Sequence, residues 1–208
     1  MSKKVVIFDM DGVLFDTVKL VYESFKKVYP DMTEEYSKKL MSGNFHEELL
    51  KIPFTQLKHT EEEIQINRLA FSKMKSEAVL FPGIKELLKR LHSSEWTIVI
   101  NTSAYERNTL PLLKNSDIIS YFDYIGTAEI SKSKLEKFKI MEKRYNVKGS
   151  DMIFVTDTLG DLRESDKAGI PTIAVTWGGH DRSFFECEDH DNLIGIADTV
   201  EELEKLIN

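Results

Sequence analysis

Strand-like apolar runs alternate with helical patterns along most of this chain, and that alternation restricts the fold more than any other feature. Val5, Val6, Ile7 and Phe8 are β-branched or aromatic, the pattern of a strand covered on both faces. Further segments read as strands from Trp96 to Ile100, Tyr124 to Gly126, Met152 to Val155 and Thr172 to Val175. Helical spacings lie between them. Ile84, Leu87, Leu88 and Leu91 share one helical face behind Pro82, a start signal. Leu135, Phe138 and Met141 repeat the spacing ahead of Met152. Pro111 predicts a kink, or two short helices, between Tyr105 and Lys114. The expectation is an α/β fold: a doubly wound parallel sheet, Rossmann-like in its core.

From about Val18 to Leu80 the alternation stops. No convincing strand appears, and the pairs Asp31/Glu34 and Thr60/Glu63 have the spacing of capping boxes that open helices. Pro30, Gly43 and Pro53 punctuate the segment. This predicts a small α-helical domain, residues 17–80, inserted into a core made of residues 1–16 and 81–208.

A chain of 208 residues with 41% hydrophobic content can bury one good core and carry an inserted lobe. A net charge of -7 gives no electrostatic reason to expect nucleic acid as a partner. A small anionic substrate would need local positive charge. Cys187 is the only cysteine, which excludes an intrachain disulfide and a cysteine-built zinc site. The four-residue apolar run behind Met-Ser-Lys-Lys is too short for a signal-peptide core, and no segment could span a bilayer. A cytoplasmic protein without membrane contact is expected.

Ligands of an open parallel sheet bind at the carboxyl ends of its strands. The first strand ends in Asp9-Met10-Asp11-Gly12. Residues two apart in an extended chain point the same way, so both carboxylates crowd one volume unless a cation or a proton separates them. The second strand ends in Asn101, Thr102 and Ser103, and Lys132 and Lys134 follow the third. The fourth ends in Asp157, with Asp161 a helical turn later. Singly, each has a simpler explanation: a polar loop, a helix cap, a solvated lysine. Jointly, those explanations require every strand end to carry matching chemistry by accident.

With these residues assembled, the chain resembles the haloacid dehalogenase-like hydrolases, in the phosphoglycolate phosphatase-like branch that carries a helical cap after the first strand. "DMDGVLFDT" matches the first motif of that family, and "IVINTS" resembles the second. "ISKSKLEKF" resembles the third, with Lys132 placed by the position of Phe138, and "VTDTLGDLRESDKAGIPTIAVTWG" resembles the fourth. Thr156 and the absence of a proline after Lys132 depart from the family pattern. The resemblance implies a Mg²⁺-dependent phosphatase acting on a small phosphorylated metabolite, as a monomer or homodimer. Asp9 would be the nucleophile and Asp11 the general acid and base. Asp9, Asp11, Asp157 and Asp161 would hold Mg²⁺, with Asp11 acting through its backbone carbonyl. Thr102, Ser103 and Lys132 would bind phosphate, and Gly43, Asn44 and His46 would lie in a cap loop that reads the substrate. His180 is left open between a contact at the site's rim and plain surface. The rival readings are a phosphomutase of the same superfamily and a non-catalytic module resembling a receiver domain.

Overall fold

The computed structural model describes residues 4–54, 59–94 and 96–208. β1 (Val5–Phe8) is followed by helices α1 (Val18–Val28), α2 (Glu34–Leu40), α3 (Phe45–Leu49) and α4 (Glu61–Ser76). Alternation then resumes with α5 (Ile84–Ser93), β2 (Thr97–Asn101), α6 (Glu106–Asn115), β3 (Tyr124–Gly126) and α7 (Lys134–Tyr145). β4 (Met152–Thr156), α8 (Leu159–Ala168), β5 (Thr172–Val175), α9 (Arg182–Phe185), β6 (Leu193–Ala197) and α10 (Val200–Ile207) complete the chain. The strands form one six-stranded sheet in the order β3-β2-β1-β4-β5-β6, parallel throughout.

Side-chain alternation along β1 divides the core between two faces. Val6 and Phe8 pack with Leu88 and Leu91 of α5, Leu112 of α6 and Leu203 of α10. Val5 and Ile7 pack on the other side with Phe138 and Met141 of α7 and with Phe154. A fully buried Leu, Ile or Phe contributes roughly 1.5–3 kcal/mol. The sheet and its helices therefore dominate stability, for α1 and α3 bury no residue at all.

Local expectations are corrected in three places. β6 is a strand that the apolar runs did not mark; it lies at the sheet edge, only half-buried, with Gly195 inside it. α6 is one helix with Pro111 inside it, not two short helices. The missing N–H would have bonded the carbonyl of Arg107, an exposed residue of the first turn. α2 is capped by Thr33, whose hydroxyl accepts from Tyr36 N, rather than by Asp31. The Thr60/Glu63 capping box is present in full at the start of α4.

The chain crosses between the sheet and the inserted helices twice, and the crossings lie side by side. Asp16 N donates to Val79 O at 3.1 Å, and Phe81 N to Leu14 O at 3.0 Å.

Candidate active site

β1 has β2 on one side and β4 on the other, so the three central strands deliver their ends to the point where strand order reverses. Asp9 continues the ladder by donating its N–H to Val155 O, and Thr102 does so to Gly126 O, each at 2.9 Å. Asp9, Thr102 and Asp157 are buried and line a cavity of about 380 Å³ together with Asp11, Ser103, Lys134 and Asp161. Thr158 caps α8 by accepting from Asp161 N, which sets Asp161 in the first turn of that helix.

The lysine in this cluster is Lys134, not Lys132. Lys134 Nζ lies 2.8 Å from Asp9 Oδ1 and reaches Asp161 Oδ2 as well. Lys132 is exposed, two residues before α7 begins, and only its carbonyl takes part, facing Asn44 Nδ2 at 3.4 Å. The cause is helical periodicity. Lys134, Lys137, Phe138 and Met141 form the buried face of α7, whereas Lys132 lies in the turn ahead of it. The aliphatic stem of Lys134 runs beside Phe154, its ammonium 5.2 Å from the ring centre.

Burial pushes the Asp9 carboxyl up to about 6; Lys134 opposes that rise, while Asp161 and Asp11 add to it. Burial also drives Asp157 well above the ordinary carboxylate range, with Asp9 reinforcing the shift. Burial alone would lower Lys134, but the carboxylates of Asp161 and Asp9 more than reverse that and hold it up. Lys137, which sequence reasoning did not single out, donates to Thr102 O at 2.7 Å. Burial lowers it to about 8, and the charge of Lys134 adds to the effect. Its position three residues after Lys134, next to Phe138, was the available signal. Thr156 donates its hydroxyl to Asp161 Oδ2 at 3.0 Å, which gives this departure from the family pattern a local task.

Asp157 Oδ2 accepts from Gly179 N at 2.7 Å, but Oδ1 is buried with no hydrogen-bond partner among the described residues. Gly12 makes the close approach possible. Its φ is 78°, and a Cβ there would meet Asp157 Oδ2 at 1.9 Å. Two adjacent buried carboxylates with an unpartnered oxygen fit a hard divalent cation such as Mg²⁺. Among the described residues no three His, Cys, Asp or Glu side chains are arranged as a metal site. Asp161 is held by Lys134 and Thr156. A cation would therefore take side-chain oxygens from Asp9 and Asp157 and complete its shell with backbone oxygen and water. Asp11 is held differently: Thr17 Oγ1 donates to its Oδ1 and Lys75 Nζ to its Oδ2, each at 2.6 Å. Lys75, buried at the end of α4, was also missed, since nothing local in sequence links it to Asp11.

The loop between α2 and α3 closes over this edge of the sheet. Met41 O accepts from Gly160 N at 3.0 Å, and Ser42 O from Arg163 Nη1 at 2.6 Å. Gly43 and His46 line the cavity, and His46 Nε2 faces Ser103 O at 3.2 Å. Asn44, expected beside them, is engaged elsewhere. Its Oδ1 accepts from Glu47 N to cap α3, and its Nδ2 reaches Glu164 at 3.3 Å. His180 is fully buried rather than on the surface. Its Nδ1 accepts from Leu159 N, so Nε2 carries the hydrogen that reaches Lys38 O at 2.9 Å.

Comparison with known proteins bears on the family and the fold. A family described as "Haloacid dehalogenase-like hydrolase" matches residues 6–175. A phosphorylated carbohydrates phosphatase of Thermotoga maritima is 26% identical over 81% of this chain and 82% of its own length. A phosphoglycolate phosphatase of Nitrosospira multiformis is 24% identical over 89% of each. Among solved structures, a haloacid dehalogenase-like hydrolase from Streptococcus pneumoniae superposes with a TM-score of 0.78 at 22% identity, covering 100% of this chain and 99% of the other. CbbY from Rhodobacter sphaeroides, solved with phosphate, gives 0.76 at 18% identity, covering 97% and 96%.

Proposed function

Because this chain belongs to the haloacid dehalogenase-like hydrolases, we propose that it is a Mg²⁺-dependent phosphatase that hydrolyses a small phosphomonoester through an aspartyl-phosphate on Asp9. The carrying observation is the buried Asp9–Lys134–Asp161 cluster beside the unpartnered Asp157 oxygen, at the point where strand order reverses. Asp9 and Asp157 would hold the cation, which when bound supplies positive charge to a phosphoryl group and keeps Asp9 ionised.

An Asp9 oxygen attacks phosphorus as the bond to the leaving alkoxide breaks, and Asp11 gives that alkoxide its proton. Water then attacks the phosphorus of the aspartyl-phosphate, Asp11 takes the water's proton, and inorganic phosphate leaves Asp9 regenerated. Thr17 and Lys75 orient Asp11 for both transfers. Lys134, Thr102 and Ser103 would neutralise and orient phosphoryl oxygens as charge develops. Gly43, Asn44 and His46 would act by seating the loop that excludes bulk water.

The direct experiment compares wild-type protein with Asp9→Asn on a phosphomonoester panel with Mg²⁺. The expected result is turnover by the wild type, loss of essentially all of it in the variant, and loss in excess chelator. Undiminished turnover by Asp9→Asn, with deamidation excluded, would remove the covalent mechanism. Discharge of the trapped aspartyl-phosphate by a sugar phosphate rather than by water would make the protein a phosphomutase.

A further inference from the structure

Above the carboxylates the cavity is walled by hydrocarbon. Val21 and Phe25 of α1, Met41 ahead of α3, Phe45 and Leu49 of α3 and Phe71 of α4 line it. All are only partly buried, although an amphipathic helix ordinarily closes its apolar face against a neighbour. Phe25 and Phe45 meet edge to face, ring centres 5.7 Å apart, so one wall is a braced aromatic pair. The apolar faces of α1, α3 and α4 thus converge on open space. Water there finds few partners on the walls, whereas an apolar ligand would take that surface out of water.

Cations are accounted for on the same walls. A second anionic group on a substrate would need positive charge of its own. Among the described residues lining the cavity, Lys75 and Lys134 are the lysines, and no arginine joins them. Lys75 is engaged by Asp11, and Lys134 by Asp9 and Asp161. His46 directs Nε2 to the Ser103 carbonyl, and burial holds its pKa below the ordinary value. Apart from Thr102 and Ser103, the remaining polar side chains on the lining, Ser24, Tyr105, Asn108 and Thr158, are neutral.

We infer that the alcohol half of the substrate is uncharged and largely hydrocarbon, an alkyl or aryl phosphomonoester rather than a carboxylated or doubly phosphorylated one. Calling this half the leaving group rests on the phosphatase reading, but the cavity's preference for hydrocarbon can be measured without turnover.

The test is calorimetric titration of the Mg²⁺-loaded wild type with n-alkylphosphonates from methyl to hexyl, and with phosphonoacetate as the carboxylated probe. Each methylene from ethyl onward should tighten binding about threefold, and hexylphosphonate should bind roughly tenfold or more tighter than phosphonoacetate. Leu49→Arg, on a short helix with no buried residue, should invert that order. A flat alkyl series, phosphonoacetate binding as tightly as hexylphosphonate, or no binding of any phosphonate would overturn the inference. Ordered phosphonate binding without hydrolysis of any monoester would leave it standing and refute the phosphatase reading. Hydrolysis of 2-phosphoglycolate in preference to hexyl phosphate would do the reverse.

Discussion

Replacing Lys134 with methionine removes the ammonium that touches both Asp9 and Asp161. Asp9 then loses the partner that restrains its rise, and charge developing on a phosphoryl oxygen loses a donor. We expect kcat/KM to fall roughly 10²–10³-fold, in the range of losing one preorganised electrostatic contact. The acidic limb of the pH–rate profile should also move to higher pH, because the proposed mechanism requires Asp9 to be ionised for attack. Lys132→Met, altering an exposed side chain, should stay within about twofold. A larger loss at Lys132, or an unmoved acidic limb in Lys134→Met, would place the working ammonium elsewhere. The two lysines are alike in composition and neighbourhood; which one enters the site depends on where α7 starts, and Ser133 decides that by accepting from Glu136 N as its cap.

Docking of the α2–α3 loop on α8 is testable through one glycine. A Cβ on Gly160 would meet Gly43 O at 2.2 Å, so Gly160→Ala forces the loop off the sheet edge. Alanine is the better helix former by about 1 kcal/mol, so α8 should not suffer. The expected outcome is a roughly ten- to hundredfold fall in kcat/KM, as for a misplaced substrate, with the melting temperature held within about 2 °C. Unchanged kcat/KM would show that loop docking is irrelevant to turnover. A matching fall in melting temperature would show general damage to α8. Loop docking of this kind was hard to read in the sequence. Gly43 and His46 do border the cavity, but Asn44 is committed to capping α3 and to Glu164, and its amide orientation follows from a contact 120 residues away.

The raised carboxyls of Asp9 and Asp157 make the stability of the whole protein depend on pH and on metal. In the unfolded chain these groups titrate near ~4. The folded state therefore binds the extra protons between about pH 4 and the raised values, near 6 for Asp9. These two carboxyls therefore make stability without metal fall as pH rises through that window, while His46 and His180, whose pKa values burial lowers from the ordinary 6.5, act in the opposite direction. In chelator we expect the melting temperature to be higher near pH 5 than at pH 7.5. A saturating Mg²⁺ concentration of about 100 Kd should contribute ~2.7 kcal/mol, roughly 5–10 °C for a chain this size. Asp157→Asn should flatten the dependence between pH 5 and 7.5 and abolish the Mg²⁺ gain, since the neutral amide relieves the carboxyl pair. Paired surface carboxylates such as Asp198 and Glu204 are shifted downward, so they act below that window. A melting temperature that rises from pH 5 to 7.5 in chelator, or an equal Mg²⁺ gain in Asp157→Asn, would refute this account.

Apolar runs and the polar residues that end them were enough to place Asp9, Asp11, Thr102 and Asp157 on one edge of a parallel sheet. A strand buried on both faces must be hydrophobic along its length, so its end is visible where hydrophobicity stops. Strand order, which brings those ends together, was not in the apolar runs; the tertiary structure supplies it by pairing β1 with both β2 and β4. The position of Lys75 beside Asp11 was invisible in the same residues, because it joins positions 64 apart through a helix that has no local reason to point there. Nor could composition tell that Lys134 and Lys137, ordinarily surface residues, are fully buried. Their burial is tolerated only because Asp9, Asp161 and the Thr102 carbonyl arrive from three other segments to meet their charge.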